Sequence, residues 1–501
     1  MTDIDAGLAA LSPEKRALFE KLLRERGTAE NAFPLSVNQQ GIWFLEQLRP
    51  GNPAYTIAAA LRLRGRLDKE VLLRAANKIV RRHEALRTTF DLRDGRPMQI
   101  VHPQLTLDLP ETDLRSGPDA EEPGADELEQ RIFEALGGPF DLANGPLLRF
   151  RLLRLGDEDH VLAVAMHHLV SDGWSVGVLV SELSALYAAF LSGRPSPLPP
   201  LAIQYGDFAV WQRRRLEERD LGPDLEYWRN HLAGAPDVLG LATDHPRPSV
   251  QGFNGGSVPF ELPERLMREL TAVAKGYRAT PYMALLAVFQ ILLHRYSGQD
   301  DVVVGVPTAN RSRGEVEPLI GFFVNTLPVR VGLDGDPGFG ELLERVRQAC
   351  MGAYARQDLP FEKIVEEMRP QRDLSRSPLF QAGLSYQSDP LPALTMGGLE
   401  IRRVPLRSRG ARFDLELQFF DDGGRLTGWF EYDRELFQET TVTRMAGHFR
   451  RLVELVVRCP GVPVGRLALL GRAEWRRVVV ENNATGREWP GRGLVHECFE
   501  E

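Results

Sequence analysis

The most distinctive run of apolar positions lies about a third of the way along the chain. His160-Val161-Leu162-Ala163-Val164-Ala165 is apolar without a polar alternate, which predicts a short buried strand. It leads into Met166-His167-His168-Leu169-Val170-Ser171-Asp172-Gly173-Trp174-Ser175. Beyond that stretch Val176, Leu179, Val180, Leu183, Leu186 and Tyr187 recur at the spacing of one helix face. Two histidines, an aspartate and a glycine therefore fall at a strand–loop–helix junction, the kind of place where a rigid scaffold positions functional groups.

The pattern elsewhere alternates between the two periods. Ser12 caps and Pro13 starts an amphipathic helix with Leu18, Phe19 and Leu22, stopped near Gly27. Ser36 caps a helix whose apolar face is Ile42, Trp43 and Leu45, and Tyr55 to Arg64 alternates as a strand. Lys69 to His83 reads as a helix, 98–102 and 147–154 as strands, 127–137 as a helix, and 108–126 as an acidic loop rich in Pro and Gly. Ser192 to Pro200 is a rigid connector. A helix from Tyr205 is expected to continue through Tyr227-Trp228, and 233–250 is the best internal boundary by composition. The second half predicts strands at 257–262 and 301–306 and helices at 263–275, 280–297, 338–356 and Glu439 to Val457. Alternating strands and helices predict an α/β or α+β fold in two lobes.

Composition narrows the function classes. The 501 residues and 43% hydrophobic content supply more than one core. The net charge of -8 comes from 61 basic and 69 acidic side chains mixed along the chain, so no nucleic-acid partner is expected. Cys350, Cys459 and Cys498 form no metal spacing and no disulfide framework, which fits a reducing, cytoplasmic setting. The start, Met1-Thr2-Asp3-Ile4-Asp5, is unlike a signal peptide, and the apolar runs read as too short for a membrane span.

The junction limits the chemistry. Neighbours on a strand point to opposite faces, so His167 and His168 do not share one metal or one substrate. One is expected to be structural and the other to face a cavity. No third ligand stands at zinc spacing, and no nucleophile elbow, P-loop or dinucleotide fingerprint is present. That leaves a histidine acting directly on a bound substrate. Asp172 either orients His168 or pairs with an arginine, and Gly173 leaves room where a side chain would block a passage.

At these residues the sequence closely resembles the condensation domains of non-ribosomal peptide synthetases. His167-His168-Leu-Val-Ser-Asp172-Gly173 matches their signature, and 36–48, 81–90, 205–211, 319–330, 357–365 and 372–381 match further motifs in the family's order, over roughly 33–470. The resemblance implies two chloramphenicol-acetyltransferase-like lobes in a V with a central tunnel: an N-lobe over 33–215 and a C-lobe over 216–471. They would be preceded by a linker or docking helix over 1–32 and followed over 472–501 by a linker into an adenylation domain. It implies peptide-bond formation between acyl groups held as thioesters on the 4′-phosphopantetheine arms of an upstream donor and a downstream acceptor peptidyl carrier protein, with no tightly bound cofactor, metal or membrane. His168 is the working histidine by that resemblance. His167 is buried and structural, Asp172 is paired with Arg311, and Gly173 is on the acceptor side. Trp174, Ser175, Asn325 and Arg87 are candidates to line the tunnel.

Some positions depart from the family pattern. Asn38 and Gly41 stand where Ala and Arg are commoner, and Arg356 replaces a usual His. The residues around 166–215 look most like the type that joins an L-configured donor to an L-acceptor. A chain-initiating, lipid-accepting type or one that forms a modified residue is the alternative. An epimerisation domain and a stand-alone acyltransferase rank lower.

Overall fold

A computed structural model describes residues 31–115, 123–371, 373–388, 396–421 and 426–486, with 496 and 499. The helix expected near residues 12–27 and most of 487–501 lie outside the described residues.

The strand Asp159–His167 is the middle of a five-stranded sheet in the order Glu400–Val404, Thr56–Arg64, Asp159–His167, Leu148–Arg154, Glu111–Asp113. Its lack of alternation is explained by helices on both faces. Leu162, Val164 and Met166 pack with Leu72, Ile79, Leu183 and Leu186 from the helices Lys69–Arg82 and Gly173–Leu191. Val161, Ala163 and Ala165 face the other way, against Ile42, Ile132 and Phe208 from the helices Val37–Leu48, Ala125–Leu136 and Tyr205–Glu218. The 19-residue helix Gly173–Leu191 has the length and apolarity to cross a membrane, contrary to the reading of the sequence; half of it is buried in this lobe.

The second half forms a six-stranded sheet in the order Asn325–Gly332, Asp301–Thr308, Ala382–Ser388, Leu415–Asp421, Leu426–Asp433, Gly255–Leu262. Its centre is the helix Pro281–Ser297, buried without interruption from Met283 to Leu293. Thr280 caps that helix, Pro281 opens it, and Gly298 closes it in the left-handed conformation. The helices Glu264–Gly276, Phe339–Tyr354 and Glu439–Arg458 complete this core. A three-stranded sheet of Ala32–Pro34, Arg96–Val101 and Thr88–Arg93 stands apart.

Three elements differ from expectation. The helix from Tyr205 ends at Glu218, and a second, Gly222–Leu232, carries Tyr227 and Trp228; Gly222-Pro223 begins a new helix more readily than it continues one. Glu111–Asp113, inside the expected loop, pairs in parallel with Leu152–Arg154. The strand Glu400–Val404, assigned by sequence to the second lobe, pairs with Thr56–Arg64 of the first. Its half-exposed pattern marks an edge strand but not the sheet it joins.

A second excursion of the same kind fixes the lobes together. Ile320 enters one core of the first lobe, and Leu319 and Phe323 enter the other. A Cβ on Gly410 would lie 2.3 Å from the backbone of Ala54, so only glycine lets the second-lobe segment touch the first lobe there.

Candidate active site

Strand register decides which way His167 faces, and the turn that follows sets His168. His167 continues the parity of Val161, Ala163 and Ala165 and turns into the core beside Phe140. Its Nδ1 accepts the Leu169 N–H at 3.1 Å, which leaves Nε2–H to donate to Glu46 Oε1 at 3.4 Å. His167 pairs across the sheet with Thr56, so Tyr55 arrives beside the next residue, His168.

His168 opens a 3₁₀ turn, His168–Val170, and its ring is set edge-on between Tyr55 and Phe322, with centroids at 6.4 and 5.7 Å. Nδ1 lies 3.2 Å from the Ser171 carbonyl oxygen. A carbonyl accepts only, so Nδ1 carries the proton and neutral His168 presents Nε2 as its lone-pair nitrogen. Burial, with the Arg412 guanidinium and then His167 adding to it, pulls the imidazole down to about 3. His168 is therefore neutral at physiological pH. It lies deep in the protein and yet retains accessible surface, as do Tyr55, Glu362 and Arg412. Deep position together with accessibility means that these side chains face an internal passage.

Asp172 points away from His168 and into a closed network. As N-cap of Gly173–Leu191 it accepts the Ser175 N–H at 2.8 Å. It also accepts the Phe323 N–H at 3.0 Å and lies 3.1 and 3.2 Å from an Arg311 guanidinium nitrogen. Arg311 donates to the carbonyls of Val316 and Leu319, both at 2.7 Å. The pair thus ties the helix that follows the motif to the second-half segment carrying Phe322.

Gly173 faces the second sheet: a Cβ there would meet Gln387 Oε1 at 3.3 Å. Of the four candidate lining residues, Ser175 and Asn325 are buried and bonded within the protein. Ser175 is fully buried, its hydroxyl 2.7 Å from Asp172 Oδ1 and 3.1 Å from the Gly321 nitrogen. Asn325 is also buried; it donates to the carbonyls of Gln357 and Leu359 and accepts the Phe361 N–H, so it fixes the turn into the helix Phe361–Met368. Arg87 donates to the His102 carbonyl and pairs with Glu84. Trp174 is 48% exposed, and its indole N–H donates to the Glu317 carbonyl at 2.9 Å. Polar residues beside a motif serve its backbone as readily as its substrate, which is why adjacency misled here.

The residues that do face the passage with His168 gave weaker signals. Phe322 and Glu362 lie inside matched motifs but have no chemistry-bearing spacing. Tyr55 stands at the start of a strand. Arg412 has no sequence signal, because the fold alone brings it to the first lobe; it pairs with Glu416 at 2.9 Å.

Comparison with known proteins fits this geometry. A family model described as Condensation domain matches residues 29–479. Phosphinothricin tripeptide synthetase PhsC of Streptomyces viridochromogenes is 43% identical over 519 residues, 100% of this chain and 47% of that protein. Chondramide synthase cmdD of Chondromyces crocatus is 42% identical over 472 residues, 94% of this chain and 12% of that protein. The chain thus spans less than half the length of either relative. Among solved structures, the X-domain from teicoplanin biosynthesis superposes with a TM-score of 0.79 at 30% identity, covering 88% of this chain and 99% of that one. The first condensation domain of the calcium-dependent antibiotic synthetase, in complex with substrate analogue 2a, gives 0.75 at 22% identity over 88% and 100%, a likeness of fold.

Proposed function

The chain belongs to the condensation-domain family of non-ribosomal peptide synthetases, with that family's chloramphenicol-acetyltransferase-like fold, and from that premise we propose that it joins a donor acyl or peptidyl thioester to an acceptor aminoacyl thioester. Both arrive on phosphopantetheine arms of carrier proteins, upstream donor and downstream acceptor, and an adenylation domain follows in cis. The two lobes are residues 33–215 and 216–471, with 1–32 and 472–501 as linkers. The observation that carries the reading is the neutral, accessible Nε2 of His168, deep in the passage, with Nδ1 fixed by Ser171.

The acceptor amine attacks the donor carbonyl carbon, the C–N bond forms and the C–S bond breaks. The proton lost from nitrogen ends on the departing pantetheine thiol. An α-amine has an ordinary pKa of about 7.7–8.0, so a useful fraction is already neutral. An imidazole held near 3 is a weak base. Its best use is to accept a hydrogen bond from the attacking amine and aim the nitrogen lone pair. Tethering both reactants supplies the rest of the rate by proximity.

His167, Asp172 and Arg311 are positioning residues in this scheme, and Gly173 keeps the acceptor's approach open. The domain is of the type that takes an L-configured donor. The test is a condensation assay with chemically loaded donor and acceptor carriers, varying donor chirality and chain type. A peptidyl thioester should form on the acceptor carrier, faster from the L-donor than from its D-isomer or a fatty acyl donor. Absence of product from every donor would refute the reading.

A further inference from the structure

Glu362 stands out among the groups of the passage that the proposed mechanism leaves unused. It lies in the first turn of Phe361–Met368, a helix that packs on Val37–Leu48. Its Oε2 is buried and has no hydrogen-bond partner among the described residues. Its neighbour across the helix contact is Gly41, and the nearest atom to a Cβ built on Gly41 is Glu362 Oε1, at 3.0 Å. Gly41 is inside a helix, where glycine is disfavoured relative to alanine, and its backbone is not in the left-handed region. Its absence of a side chain therefore lets the Glu362 carboxylate lie against the helix Val37–Leu48 and does not serve the chain conformation.

Glu362 also acts electrostatically on Tyr55, whose ring faces His168. Burial pushes the carboxyl up to about 7. A carboxylate in this setting is expensive unless a cation pairs with it, and Arg412 is already held by Glu416.

We infer that Glu362, seated against Gly41, is a specificity site for a cationic group, an ammonium or guanidinium, on a tethered substrate. The inference rests on the condensation reading, and the side of entry is left to the two arms of the test. A substrate cation supplies the partner that Oε2 lacks, and it holds the carboxyl ionised at neutral pH. A charge-assisted hydrogen bond of this kind discriminates about 10- to 100-fold between a cationic and an isosteric neutral side chain.

The experiment measures kcat/KM near neutral pH with an ornithyl residue and its neutral isostere, a norleucyl residue, on the acceptor carrier, then on the donor carrier. One arm should give a cationic-to-neutral ratio of about 10 or more, which Glu362→Gln and Gly41→Arg each abolish. Because the readout is a ratio, a general loss of rate in a variant does not count. Condensation without any preference, or a preference unchanged in Glu362→Gln, overturns the inference and leaves the condensation reading standing. A measurement that needs no turnover runs beside it: thermal shift with n-butylammonium against n-butanol. Stabilisation by the cation in the wild-type chain, lost in Glu362→Gln, supports the site; equal responses overturn it.

Discussion

At the scale of the residue, His168 has the most constrained chemistry. Its folded-state pKa is far below the unfolded 6.5, so as pH falls below 6.5 the unfolded chain takes up a proton that the folded chain refuses. Stability is therefore lost toward acid, by on the order of 1–2 kcal/mol between about pH 7 and pH 5 from this group. His168→Gln should be less acid-sensitive than the wild type in paired urea titrations at the two pH values; parallel losses would contradict the neutral, buried imidazole. In catalysis, the rate should rise with pH up to the acceptor amine's own pKa, about 7.7–8.0, and then level off. A second inflection near 6.5 in the pH–rate profile would mean that His168 titrates in the ordinary range. Asp172 belongs to a different class of effect. Asp172→Ala leaves the Arg311 guanidinium buried without its counter-charge and should destabilise by about 3–5 kcal/mol in denaturant unfolding. The pairing of those two side chains was reachable from sequence only as a choice among arginines, since they stand 139 positions apart.

At the scale of the element, the period-two rule carried most of the information. The apolar run before His167 gave a doubly covered strand whose parity places His167 in the core, while His168 lies just past the strand's end, in a 3₁₀ turn that the rule does not reach. The same local logic failed where an element's partner lies far off in the chain. The edge strand Glu400–Val404 has no pattern that names its sheet, and Ser175 and Asn325 looked available only because their backbone partners could not be seen. Glycines record such distant contacts. Gly410 sits against the backbone of Pro53 and Ala54, immediately before Tyr55. Gly410→Ala forces those backbones apart and should cost about 1–3 kcal/mol. Because Tyr55 packs on His168, condensation should fall further than the stability loss explains when measured well below the melting temperature. Activity that tracks stability alone would show that this contact is a hinge point without catalytic influence.

At the scale of the whole molecule, neither half holds the candidate site alone. The first lobe supplies Tyr55 and His168, and the second half of the chain supplies Phe322, Glu362, Arg412 and the Gln387 that faces Gly173. Arg412 illustrates why such a site is only partly legible in a sequence: its effect on His168 exists only after the two sheets meet. The two excursions, 319–323 into the first lobe's cores and Glu400–Val404 onto its sheet, hold that meeting in register. The central claim is that this assembled passage forms an amide bond with His168 guiding the amine. It is tested most directly by single-turnover condensation with preloaded donor and acceptor carriers, comparing the wild-type chain with His168→Ala while carrier binding is followed separately. The account predicts carrier-bound peptide from the wild type, a loss of about 10²-fold in the variant, and unchanged carrier affinity. Equal single-turnover rates from the two proteins would contradict it.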